Sequence, residues 1–279
     1  MRMMEMVHAA EVTSMHCGGT IARIYEPAGT GELHELIVEL GDFHILGGGT
    51  NTIFEDTTIT RPVIRLGREF AFIEPVPGGV RAGAAVPMKR LLSFCIRNGQ
   101  AGIEFMAGIP GLLGGALFMN AGTPERGIMD AATEVEVVDR TGIRTIPKAD
   151  IRYGYRTGGF GEKTVITAAF LRLEPSTREE VRRSVLPHLD RRRGQPHGYS
   201  SGSIFRNPPR QAAGQLIDRA GLKGLRAGGA KVSEIHANFI INDRGATTGD
   251  IKRLISLIKT RVKDRFGIEL REEVKIIGQ

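Results

Sequence analysis

The sequence predicts an α+β or mixed α/β protein with more than one domain. Three observations carry that expectation. Stretches with helical spacing and stretches patterned as strands are interleaved along the whole chain. No repeat interrupts the alternation. Glycine clusters sit beside apolar runs, where tight turns or close backbone approach are needed.

Taken in order, Leu33, Leu36, Ile37 and Leu40 recur at helical spacing, and Gly41-Asp42 ends that helix. Phe43 to Leu46 reads as a buried strand that runs into the loop Gly47-Gly48-Gly49-Thr50-Asn51. Pro62 to Leu66 and Gly79 to Ala84 read as further strands. Pro87 to Asn98 is a helix that turns Leu91, Leu92, Cys95 and Ile96 inward, with Gly99 as its left-handed stop. Thr133 to Val138 alternates polar and apolar, and Arg140-Thr141-Gly142 turns it back as a hairpin. Thr164 to Leu173 is a long strand broken by Glu174-Pro175. Ser176 and Thr177, with Glu179 and Glu180, offer a capping box for the helix that follows. Gln211 to Ala220 is a short helix closed by Gly221. Ala237 to Ile241 is a strand ended by the turn Asn242-Asp243-Arg244-Gly245. Ile251, Leu254, Ile255, Ile258 and Val262 form a helical stripe stopped by Gly267, and Ile268 to Ile277 is extended.

The 279 residues suit about two domains, or three small ones. A net charge of +7 admits nucleic acid, an anionic membrane or small anionic ligands as partners. The basic residues are scattered; the one dense run is Arg191-Arg192-Arg193, which reads as a solvated helix face. With no Trp, 4 Tyr and no reading motif, the expectation is no nucleic acid. Cys17 and Cys95 form neither a disulfide framework nor a metal site, and they suit a reducing cytosol. Glu5 and Glu11 interrupt the Met-rich start, so no signal peptide is expected, and no run is long enough to span a membrane. A cytoplasmic protein follows.

There is no Walker A loop and no G-x-G-x-x-G after a strand. Gly198-Tyr199-Ser200-Ser201-Gly202 fits the hydrolase pattern G-x-S-x-G, but it lacks the strand before and the helix after that the pattern requires. The loop Gly47, Gly48, Gly49, Thr50, Asn51 can converge backbone amides on an anion, although a plain turn is the commoner reason for such a run. In Gly108-Ile109-Pro110-Gly111-Leu112-Leu113-Gly114-Gly115-Ala116, Pro110 stands where a helix can begin, with its free amides toward a phosphate; tight helix–sheet packing is the competing explanation. Two such segments suggest a ligand with two phosphates, such as FAD. Ser201 to Pro208 reads by itself as a polar loop before a helix.

In this order, the segments resemble the UDP-N-acetylenolpyruvoylglucosamine reductase family. Gly47 to Asn51 is similar to its G-G-G-[ST]-N loop. Gly102-Ile103-Glu104-Phe105, Gly108 to Gly111, Gly114-Gly115-Ala116 and Asn120-Ala121-Gly122 follow its long glycine signature. Gly154-Tyr155-Arg156, Gly202-Ser203-Ile204-Phe205-Arg206-Asn207-Pro208, Ala213 to Ile217, Gly221-Leu222-Lys223-Gly224 and Glu273 to Gly278 follow the rest, and His236 to Asn242 resembles the shorter subtype. The likeness runs from about Thr13 to the end. The chain departs from the pattern at Phe118, at Thr123-Pro124-Glu125 and at Thr157-Gly158.

The resemblance implies an α+β fold: a two-part FAD-binding scaffold of the PCMH/vanillyl-alcohol-oxidase type, expected over 1–66 and 67–174, and a substrate domain over 175–279. It implies FAD held non-covalently by Gly47, Gly48, Gly49, Thr50, Asn51, Gly108, Ile109, Pro110, Gly111, Gly114, Gly115 and Asn120. NADPH is the implied co-substrate, and the substrate is the enolpyruvyl ether of a UDP-sugar. Arg156, Ser203 and Glu273 are the implied catalytic residues, and Tyr155, Asn207 and Lys223 hold the substrate. Arg156 suits charge building on a carboxylate, and a held Ser203 hydroxyl suits proton delivery to a basic carbon. No metal and no membrane are expected, and the chain is expected to act as a monomer. The competing functions are another flavoprotein on this scaffold, of alcohol-oxidase type, and a non-catalytic nucleotide binder.

Overall fold

The computed structural model describes residues 1–279, which divide into two compact units. The first comprises Met1–Met4, Ile24–Gly48 and Arg61–Arg193; the second comprises Glu5–Arg23, Gly49–Thr60 and Gly194–Gln279.

In the first unit, the end of strand Thr20–Glu26 pairs in parallel with Val63–Arg65, which also pairs in parallel with His44–Leu46. Helix Thr30–Leu40 crosses over between the first and the last of these three parallel strands, which flank Val63–Arg65. Its Leu33, Leu36 and Ile37 are buried with Tyr25, Phe43 and Ile64, as the spacing predicts, and Gly41 at φ 65° ends it. A five-stranded antiparallel sheet follows in the order Gly142–Pro147, Ala132–Asp139, Val165–Arg172, Gly79–Gly83, Ile73–Val76. The expected hairpin is present, with Gly142 opposite Asp139. Helices Met88–Arg97, Leu113–Met119 and Arg178–Arg193 bury Leu91, Cys95, Leu113, Leu117 and Val185 in one core with Val80, Val135 and Leu171 from the sheet. Gly99 takes the left-handed conformation expected of it, at φ 59°.

In the second unit, a small antiparallel sheet runs Arg226–Ala227, Ala230–Val232, Ile240–Asn242. Helix Thr248–Phe266 buries all five residues of the predicted stripe, and Gly267 at φ 68° stops it. With helix Ala213–Arg219 and with Ile53, Ile204 and Phe205, it forms the core of this unit. The last strand, Lys275–Ile277, pairs in parallel with Thr52–Phe54.

Three details differ from the sequence reading. Helix Arg178–Arg193 packs on helix Met88–Arg97 and on Glu104–Met106, so the division falls at Arg193/Gly194 and not at Glu174-Pro175. Val181 and Val185 are its buried residues, too short an apolar stripe to announce a partner from sequence alone. Residues 49–60 are grouped with the C-terminal part, because their strand pairs with Lys275–Ile277. Of Ile268 to Ile277, Lys275–Ile277 alone is a strand.

Both cysteines are free and buried. Burial, then the negative charge of Glu104, pushes the Cys95 thiol up to about 12; burial also raises that of Cys17. Cys95 packs as a small apolar residue, and Cys17 Sγ also lies 3.6 Å from Thr248 Oγ1. No group of His, Cys, Asp and Glu could hold a metal ion, and no helix is long and apolar enough to cross a membrane.

Candidate active site

In the first unit the two glycine segments meet. A Cβ on Gly48 would lie 3.2 Å from the Gly111 Cα and 3.4 Å from the Leu112 N, and one on Gly47 would lie 3.8 Å from the Gly115 Cα. Gly111 takes φ 109°, a conformation few side chains allow. A Cβ on Gly115 would meet nothing within 4 Å, whereas one on Gly114 would strike the Ala84 Cβ at 2.8 Å. Gly114 is therefore a packing glycine and Gly115 an open one. The helix begins at Leu113, not at Pro110, and its first two amides are already used: Leu113 N donates to Val86 O and Gly114 N to Ala84 O, both at 2.9 Å. Neither of these two amides is free at the helix end, and Gly115 is the glycine of the pair left open. Ile109 and Pro110 lie in the connecting turn after Gly108.

Asn120 ends the same helix in the left-handed conformation, at φ 43°. Its side chain is committed at both ends: Nδ2 donates to Gly154 O at 2.8 Å and Oδ1 accepts from Met129 N at 3.1 Å. It holds the Gly154-Tyr155-Arg156 turn. Gly154 and Thr157 close that turn through paired backbone bonds of 2.9 and 3.2 Å, leaving Tyr155 and Arg156 at its tip. Arg156 takes φ 56°, a strained value for a residue with a side chain, and its guanidinium lies 5.1 Å from the Tyr155 ring centroid. Strain of this kind persists where the surroundings fix it, as Asn120 does here.

Arg192 is a residue that the sequence reading missed. A Cβ on Gly108 would meet its Cδ at 2.5 Å, so its stem lies across that glycine. Burial, then the nearby positive charge of Arg156, lowers its pKa. An arginine stays charged even so, and two neighbouring guanidinium groups favour an anionic ligand. Arg191 and Arg193 remain on the exposed face, as expected of a solvated run. A single inward arginine in such a run leaves no signal in sequence.

The second unit carries Ser203 and Glu273. Ser203 bridges to Phe239, and the following strand is fixed by buried Asn238, which accepts from Phe205 N at 3.0 Å and donates to Phe205 O at 2.8 Å. Glu273 N donates to Ile204 O at 2.7 Å, tying Glu273 to the residue next to Ser203. Asn51 Nδ2 donates to Glu273 O at 3.1 Å. The Ser201 hydroxyl beside this strand is buried and unpaired, a polar atom left for a water or ligand. Gly49 is a packing glycine: at φ 65°, its Cβ would meet Val12 O at 2.1 Å. Thr50 lies half-buried in the turn that follows. Asn207 Oδ1 accepts from Ala213 N at 3.0 Å and so fixes the start of helix Ala213–Arg219. Lys223 is exposed and pairs with Asp218 at 2.7 Å.

The chain matches two family models: the FAD binding domain over residues 22–146, and the C-terminal domain of UDP-N-acetylenolpyruvoylglucosamine reductase over residues 195–277. Among relatives, the UDP-N-acetylenolpyruvoylglucosamine reductase of Anaeromyxobacter sp. is 40% identical over 96% of this chain and 86% of its own. That of Alkalilimnicola ehrlichii is 43% identical over 97% and 93%. The crystal structure of the reductase from Thermus caldophilus superposes with a TM-score of 0.88 at 32% identity, covering 99% of both chains. With the glycine segments, the Tyr155–Arg156 turn and the Ser203 and Glu273 segments all present in a chain matched over nearly its whole length, this protein belongs to the UDP-N-acetylenolpyruvoylglucosamine reductase family.

Proposed function

We propose that this chain reduces the enolpyruvyl ether of a UDP-sugar to UDP-N-acetylmuramate, with electrons from NADPH passing through non-covalently bound FAD. We assign it to the cytoplasm as a monomer. The observation that carries the reading is the approach of Gly47 and Gly48 to Gly111, Leu112 and Gly115, with Gly115 open beyond its own backbone. A diphosphate fits such a cradle, because backbone amides bind it only where no Cβ intervenes. Gly47, Gly48, Gly111 and Gly115 would hold the FAD diphosphate there.

When bound, FAD would supply the hydride chemistry that links NADPH to the enolpyruvyl methylene carbon. The chain supplies charge and protons. Arg156, aided by Arg192, stabilises negative charge on the substrate carboxylate. Because Asn120 and the closed turn fix Arg156, little reorganisation is needed as that charge develops. The Ser203 hydroxyl delivers a proton to the carbon next to the carboxylate, a task open to a weak acid when the acceptor is strongly basic and the donor is held. Glu273 orients the carboxylate or holds a proton nearby. Tyr155, Asn207 and Lys223 hold the substrate, Lys223 toward its diphosphate.

The test is anaerobic. NADPH should bleach the flavin of the purified protein, and the enolpyruvyl UDP-sugar should restore its colour with formation of the saturated ether. Bleaching by NADPH without reoxidation by this substrate would overturn the proposed activity.

A further inference from the structure

We infer that Asn51 is a positioning residue for Glu273, and that its side chain serves the segment carrying that carboxylate instead of the flavin. The inference rests on the catalytic assignment of Glu273 made above. The parallel ladder between the last strand and Thr52–Phe54 starts at Lys275, opposite Thr52. One bond extends it backward, from Lys275 N to Asn51 O at 2.9 Å. Glu273 lies beyond the reach of that ladder. There the Asn51 side chain takes the place of a strand, its Nδ2 donating to Glu273 O at 3.1 Å. On the other side Glu273 N donates to Ile204 O at 2.7 Å. The peptide groups flanking the Glu273 Cα are thus pinned from both directions, which sets where its side chain points.

Asparagine suits this place. It needs a neutral donor of this length on a turn residue, aimed at a carbonyl. Aspartate offers acceptors alone when ionised, and alanine offers nothing. Without the donor, the bond from Asn51 to Glu273 O is lost and this segment is held on one side less, while Glu273 N and Val274 N still reach Ile204 O at 2.7 and 3.4 Å. A displacement of about 1 Å can cost up to ~10² in rate in a reaction that depends on positioning. One N–H of the Asn51 amide is already engaged by Glu273 O. Flavin retention therefore falls to the backbone of Gly47, Gly48 and Gly111, and Asn51 ties the end of that loop to the segment that carries Glu273.

Asn51→Ala and Asn51→Asp test this, each alone and combined with Glu273→Gln. Flavin content is read by absorbance, and rapid mixing resolves the NADPH and substrate half-reactions. The expected result is near-normal flavin content and bleaching, with reoxidation slowed between about tenfold and ~10² in kcat at little change in KM. Asn51→Asp should behave as Asn51→Ala does. In the Glu273→Gln background either change should add little, because residues acting through one another are not additive. Loss of flavin in the single variants would make Asn51 a cofactor anchor and overturn the inference. So would equal slowing of both half-reactions, or full multiplication with Glu273→Gln. If Glu273→Gln alone leaves reoxidation unchanged, the assignment of Glu273 itself fails and the inference falls with it.

Discussion

Gly114 and Gly115 are adjacent and identical, yet their surroundings differ. Gly114 is pressed against Ala84, while Gly115 faces Gly47 and open space. Valine at Gly114 should therefore lower stability whether or not flavin is present, because the helix cannot stay that close to the sheet. Gly115→Val should keep the apoprotein's melting temperature and lose flavin, read as the ratio of flavin to protein absorbance. Equal flavin content in the parent and Gly115→Val would remove Gly115 from the cradle. The glycine pair was legible in sequence; the division of labour within it was not, because it depends on which face of one turn meets Ala84. Asn120 and Asn51 show the same limit. Asn120 bonds Gly154 and Met129, and Asn51 bonds Glu273, contacts that the sequence does not show. A side-chain amide beside a ligand loop can be used up by protein groups that are distant in sequence, and no local pattern records it.

At the scale of elements, legibility followed length and periodicity. The stripe of helix Thr248–Phe266 spans several turns, so its buried face could be read directly. The capping box before helix Arg178–Arg193 was also legible: Thr177 and Glu180 make reciprocal bonds of 3.1 and 3.2 Å. The strands Arg226–Ala227 and Ala230–Val232 are too short to show an alternation, and pairing defines them, the first with the second and the second with Ile240–Asn242. Helix Thr248–Phe266 has a box of its own, in which Thr247 Oγ1 accepts from Asp250 N at 3.1 Å and Asp250 accepts from Thr247 N at 3.2 Å. Asp56 accepts two further first-turn amides, from Thr248 at 2.8 Å and Gly249 at 2.9 Å. Thr247→Ala removes one of these caps and should cost about 1 kcal/mol in denaturant unfolding. Because Asp56 remains, the helix should survive, with its circular dichroism unchanged below the transition. An unchanged midpoint would mean that Thr247 contributes no capping energy.

For the whole molecule, the discontinuity of the units was the least legible feature. The second unit gathers residues 5–23 and 49–60 with the last part of the chain, because short strands pair across the sequence. Such grouping is set by long-range packing, and composition breaks such as Glu174-Pro175 do not report it. The division also separates the implied roles. Arg156 and the Gly111–Gly115 segment belong to one unit, and Ser203 with Glu273 to the other. Reduction of the flavin by NADPH should then be insensitive to loss of the Ser203 hydroxyl, while protonation of the substrate should depend on it. The most direct test is rapid-mixing absorbance of Ser203→Ala under anaerobic conditions. NADPH should bleach its flavin at a near-normal rate, and reoxidation by the enolpyruvyl UDP-sugar should slow by ~10² to 10⁴, the usual worth of a positioned general acid. Equal slowing of the two half-reactions, or reoxidation at the parent rate, would contradict the role given to Ser203.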